Sequence, residues 1–190
     1  MEQKRIHRCF ILLLMYMEIL NYDQKEVADI LDASQKERSD LWEQIIAQNE
    51  QKVEESMDEI LNRAEEMTHK NYGYWVGRNK YVCDTFVKKV FADAGKKTFE
   101  WVYATPNMFK KEKPTQTLRF GDNGILQNSD IIPGSVLFFV DKKNFCGHVA
   151  IFAGNKNGYP QIYDATKKSW VSKRTLFSTE AQKIYYKTIV

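Results

Sequence analysis

From Met1 to about His69 the chain contains neither proline nor glycine, and its apolar residues recur at helical spacing. Helices are expected near residues 3–20, 23–32 and 35–69. In the third, Trp42, Ile45, Ile46, Val53, Met57, Ile60, Ala64 and Met67 line up as one apolar stripe, the pattern of a helix that packs along one side. From Asn71 onward the texture changes to glycines, prolines, aromatics and β-branched runs. "YVCDTFVKKVFADA" (81–94) reads as a helix, with Gly95 at the position where a left-handed cap is wanted. Residues 96–130 carry no clear pattern. Five strand-like segments follow: "GSVLFFV" (134–140), "HVAIFAG" (148–154), "QIYDAT" (161–166), "SWVSKRTL" (169–176) and "KIYYKTIV" (183–190). The expected class is α+β, a helix packed on an antiparallel β-meander and preceded by an all-helical N-terminal region. The expected division is an accessory or regulatory part, 1–57, and a main domain, 58–190.

Length and composition fit this picture, since 190 residues with 43% hydrophobic content can bury one core and carry an accessory piece. The longest apolar run, Cys9 to Leu20, has twelve residues and includes Glu18. A bilayer crossing needs about 18, so no transmembrane span is expected. Lys4, Arg5 and Arg8 ahead of that run imitate the start of a secretory signal, but no small-residue cleavage pattern follows. A buried amphipathic helix is the expectation there, and the site of action is left open. Three cysteines, an odd and small number, argue for reduced thiols over a disulfide scaffold.

The overall charge of +3 conceals a split: the first 70 residues hold nine of the 28 Lys/Arg and sixteen of the 25 Asp/Glu, net −7, leaving +10 on the rest. A basic part could attract nucleic acid, an anionic surface or a carboxylate-rich polymer. The segment Asp23 to Ile45 has a faint helix-turn-helix look, but its would-be reading helix, Gln35 to Asp40, is mixed in charge and lies in the acidic part. DNA would be repelled there, and no nucleic-acid partner is expected. Signatures for phosphate loops, dinucleotide binding and zinc fingers are absent from the sequence.

The chemistry concentrates in "GHVAIFAGNKNGYPQIYDAT" (147–166), a strand, a turn and a second strand. A turn centred on Lys156 would oppose His148 to Asp164, with Cβ atoms about 4.5–5.5 Å apart, close enough for the carboxylate to accept the imidazole Nδ1 proton. A bulge at Pro160 would bring Tyr163 or Ala165 opposite instead. Cys83 falls in the first turn of its helix, where the macrodipole favours a thiolate, on one face with Phe86, Val87, Val90 and Phe91. If that apolar face packs on the sheet, the sulfur points toward His148. A cysteine alone is more often a small buried hydrophobe. A cysteine, a histidine and an acid together are the parts of a nucleophile, its base and the base's orienter.

The order "YGYWVGRNKYVCDTFVKKVFADAG", "PGSVLFFV", "GHVAIFAG", "YDAT", "SWVSKRTL", over about residues 58–180, resembles the NlpC-type family of cell-wall cysteine peptidases, which have a papain-like fold. The family's Tyr-x-x-Gly ahead of a helix-start cysteine, its Pro-Gly strand and its Gly-His-Val strand occur here in order. The resemblance implies Cys83 as nucleophile, His148 as general base and Asp164 as orienting residue. It also implies Tyr74 near the oxyanion, with Trp75 and Asp84 as neighbouring oxyanion or substrate contacts. The implied activity is hydrolysis of an amide bond in peptidoglycan stem peptides, commonly next to D-glutamate. Two positions depart from the pattern. Asp84 stands where the family usually has serine, placing a charge beside the sulfur, and Asp164 stands where histidine is common.

Other readings compete. Cys146, two residues before His148, could join it as a metal pair with Cys83 or Asp164, but four ligands with zinc-site spacing are lacking, and neither metal nor other cofactor is expected. Tyr72, Tyr74, Trp75, Trp101 and Trp170 could line a groove. The same fold could serve as an inactive binding module or an acyltransferase-type thiol enzyme, with the N-terminal helices as a protein-partner site.

Overall fold

The computed structural model describes residues 35–68, 82–99, 102, 104–166 and 171–189. The helices expected at 3–20 and 23–32 lie outside the described residues. Residues 56–189 form one compact unit, and residues 1–55 with Val190 belong to a second.

Three helices are described, α1 (Gln35–Met67), α2 (Val82–Asp93) and α3 (Thr105–Glu112). Six strands form one sheet: β1 (Gln116–Thr117), β2 (Val136–Val140), β3 (Cys146–Lys156), β4 (Tyr159–Asp164), β5 (Ser172–Thr175) and β6 (Lys183–Lys187). All pairings are antiparallel, in the order β1-β6-β2-β3-β4-β5. The class is α+β. A simple meander would have placed β6 beyond β5, but β6 returns to pair with β2, so β2 and β3 become central strands. Their sequences show why: Val136 to Val140 are all apolar and all buried, with no alternation to leave one face wet. β5, "SKRT", is polar and short, as suits an edge.

The unpatterned stretch 96–130 is not featureless. It contains α3, β1 and a bridge between Phe120 and Leu126. Eight residues are too few for α3 to reveal a helical period, and its N-cap is Ala104, which offers no capping oxygen.

The apolar face of α2 behaves as its spacing predicts. Phe86, Val87, Val90 and Phe91 are fully buried, and the helix packs on β3 and β4. Burial of each such side chain contributes about 1.5–3 kcal/mol, which fixes the rotation of the helix about its axis. The helix ends in a Schellman motif: Lys96 N–H donates to Phe91 O at 2.7 Å and Gly95 N–H to Ala92 O at 3.0 Å, with Gly95 at φ 74°. In α1, Met57, Ile60, Ala64 and Met67 of the apolar stripe are buried.

The hairpin β3–β4 carries the most consequential local geometry. Its turn is Asn157-Gly158, both at positive φ, the combination that matches the twist of paired strands. Next to the turn Lys156 pairs with Tyr159 and Gly154 with Gln161, but Phe152 pairs with Ile162, so Ala153 is an extra residue on β3. The bulge lies on β3 at Gly154 (φ 99°), and Pro160 pairs regularly with Asn155.

Candidate active site

Continuing the hairpin register from Phe152↔Ile162 and Ile151↔Tyr163 puts Asp164 across from Ala150. Asp164 is therefore the diagonal neighbour of His148 and not its direct partner, as a turn centred on Lys156 would have made it. Both still project from one face, because the register differs by two residues and the side-chain period is two. The bulge secures this. Without the extra residue Asp164 would oppose Ile151 and leave by the other face of the sheet. Diagonal neighbours are about 7–8 Å apart, a gap that an imidazole can span.

His148 Nε2 lies 3.2 Å from Asp164 Oδ2. The nitrogen facing the carboxylate is thus Nε2, where Nδ1 was expected. The ring leans on Phe139, its cross-strand partner, at 5.0 Å between centroids. Burial would lower the pKa of His148, but hydrogen bonding to Asp164 and then to the Cys83 sulfur outweighs it and pushes the value up to about 9.

Cys83, in the first turn of α2, is 7% exposed. Burial would push its thiol up. Hydrogen bonding and charge attraction from His148, with further hydrogen bonds from the Thr105 hydroxyl and the Val149 amide, reverse this and hold it below the ordinary thiol range. The helix dipole acts in the same direction. Opposite shifts in the two groups favour transfer of the thiol proton to the imidazole.

Asp164 has no solvent exposure, and a carboxylate buried in this way needs donors. Burial pushes its pKa up, and hydrogen bonds from His148 and Arg174 overcome that, leaving it below its ordinary value. Arg174 donates to Asp164 Oδ2 from Nε at 3.1 Å and from Nη2 at 2.7 Å. Its other side is held by Glu180, which accepts from Nη1 and Nη2, each at 2.7 Å. Arg174 pairs across the sheet with Ile162, two residues from Asp164 and on the same face. Sequence reasoning missed Arg174, Glu180 and Thr105. The signal for Arg174 was its alternation within "SKRT"; an acid assigned to a buried face should have prompted a search for a cation on the neighbouring strand.

Asp84 does not lie free beside the sulfur. It is buried, and its Oδ2 accepts the Ala104 N–H at 3.0 Å. Burial raises its pKa, against hydrogen bonds from backbone amides that lower it. Tyr74 and Trp75 lie outside the described residues, as do Tyr72, Trp101 and Trp170. Cys146 is separated from His148 by a second bulge: Val140 pairs with Cys146 and Phe139 with His148, so the two residues take opposite faces and do not form a Cys-x-His pair. Its thiol lies 3.6 Å from the His148 carbonyl oxygen, and burial pushes it up to about 12. Among the described residues no group of three or more His, Cys, Asp or Glu is arranged to hold a metal ion, and no helix is long and apolar enough to cross a membrane.

Compared with family models, curated proteins and solved structures, the chain matches none of them.

Proposed function

We propose that this chain is a cysteine hydrolase of the papain-like, NlpC type that cuts an amide bond in peptidoglycan stem peptides. The observation that carries the reading is the convergence of Cys83, His148 and Asp164, from α2, β3 and β4, with the thiol lowered and the imidazole raised. In this reading the Cys83 proton rests on His148 in the ground state. The sulfur attacks the amide carbonyl, and the imidazolium then protonates the departing amine, leaving a thioester. His148, neutral again, takes a proton from water, whose oxygen attacks the thioester and releases the acid. Asp164, fixed by Arg174, keeps the imidazole oriented through both halves of the cycle. Tyr74 is assigned to the oxyanion by resemblance.

The substrate class rests on the resemblance of residues 58–180 and on charge. Residues 71–190 carry a net +10, which suits a polymer bearing free carboxylates. The N-terminal helices, net acidic, are proposed as the site of a protein partner.

The test is incubation of wild type and Cys83→Ala with purified muropeptides of known structure, followed by mass spectrometry of the products. Wild type should gain water across one stem-peptide amide, and folded Cys83→Ala should release nothing above background. Equal digestion by both proteins would overturn the reading.

A further inference from the structure

Cys83 and Asp84 are consecutive residues on α2, and each reaches a consecutive residue at the start of α3. Asp84 Oδ2 accepts the Ala104 N–H at 3.0 Å, and the Thr105 hydroxyl lies 3.6 Å from Cys83 Sγ. Ala104 is held at φ 68°, ψ 143°, a backbone region that a residue with a Cβ occupies only under constraint. Thr105 is 1% exposed, so its hydroxyl has no solvent to turn to. A hydroxyl beside a sulfur that has given its proton to an imidazole can only donate to it.

We infer that Thr105 is a catalytic hydrogen-bond donor to the Cys83 thiolate, and that Asp84 is a positioning residue that docks it there by gripping Ala104. The inference rests on the thiolate of the proposed cysteine hydrolase, and it gives the unpatterned stretch 96–130 a role in the chemistry. It also explains an aspartate directly after the nucleophile: the carboxylate is spent on the α3 start and not on the sulfur. Among the described residues, the titratable groups that bear on Cys83 are His148 and Cys146 on β3, with Asp164 on β4 acting through His148, and Asp84 is its neighbour on its own helix. The Thr105 bond acts in the same direction as His148, favouring the ionised sulfur.

The test is alkylation of the full chain by iodoacetamide between pH 5 and 9, with the adduct on Cys83 quantified by peptide mass spectrometry. Thr105→Val keeps the shape and removes the donor. It should move the Cys83 midpoint up by about one pH unit, a roughly tenfold loss of rate below the midpoint. Thr105→Ser, which restores a hydroxyl, should return most of the rate. Asp84→Ala should shift the midpoint in the same direction as Thr105→Val, by less. If wild type titrates low but Thr105→Val titrates with it, the donor role is wrong while the hydrolase reading stands. If Asp84→Ala leaves the midpoint in place, the docking role is wrong. A wild-type Cys83 that is inert below pH 8 would overturn both this inference and the hydrolase reading.

Discussion

Two cysteines lie close to His148, and they differ in almost everything except burial. Cys83 is 7% exposed and Cys146 is 2% exposed, so desolvation opposes ionisation of both. Cys83 opens a helix and meets an imidazole, a hydroxyl and a backbone amide, all able to donate to a thiolate. Cys146 opens a strand, its thiol 3.6 Å from the His148 carbonyl oxygen; burial pushes it up to about 12, and backbone hydrogen bonds at His148 and Phe139 offset only part of that. The difference lies in the imidazole: His148 offsets burial at Cys83, whereas at Cys146, nearer along the chain but on the opposite face, its side chain does not. Gly147 makes the distinction, since the bulge it introduces turns Cys146 and His148 to opposite faces.

The comparison breaks most completely if His148 is removed. His148→Ala takes away the main donor, and Cys83 should then resemble Cys146. Its alkylation at pH 6.5 should fall about a hundredfold, which corresponds to two units of thiol pKa, and hydrolysis of the muropeptide should fall to background. Site-resolved mass spectrometry of both cysteines would show one falling while the other stays unreactive.

A smaller effect is expected one step further out. Arg174→Gln removes two of the three donors to Asp164 Oδ2 and should let that carboxyl rise from its depressed value. The imidazole then loses its fixed orientation. Turnover should drop about tenfold, with kcat changed more than KM, and carbon-detected NMR should show the Asp164 carboxyl titrating at higher pH than in wild type. The least effect belongs to Cys146→Ala. It should cost about 1 kcal/mol of stability by thermal unfolding and leave hydrolysis unchanged. A large loss of activity there would show that the contrast between the two thiols is misassigned.

In the proposed mechanism the working state is the ion pair, which requires a pH between the lowered pKa of Cys83 and the raised value of about 9 for His148. Acid destroys it by protonating the sulfur, and alkali destroys it by deprotonating the imidazole. Activity should therefore follow a bell with its alkaline limb near 9.

Much of the site was legible in the sequence because its parts lie on elements with strong local signals. The apolar face Phe86, Val87, Val90 and Phe91 oriented Cys83, and the Asn157-Gly158 turn announced the hairpin. The register was not legible. Ala153 and Gly154 read as an ordinary strand end, yet the extra residue there decides which face Asp164 takes. Asp164 still lies beside His148 because the offset from the expected pairing is even, which preserves the face. Arg174 was hidden because a charge on a short polar strand looks solvated until the buried acid beside it is known. Thr105 was hidden because α3 has only eight residues and no capping side chain. The return of β6 to β2 depends on which partner buries more of the central strands, a choice that no local pattern encodes.

The central claim is that Cys83 and His148 share a proton as a pair. It is tested most directly by following the His148 ring through a pH titration by NMR in wild type and in Cys83→Ala. The account predicts an imidazolium that persists to about pH 9 in wild type and a midpoint at least one unit lower once the sulfur is gone. A His148 midpoint that is the same in both proteins and lies near the ordinary histidine value would contradict it.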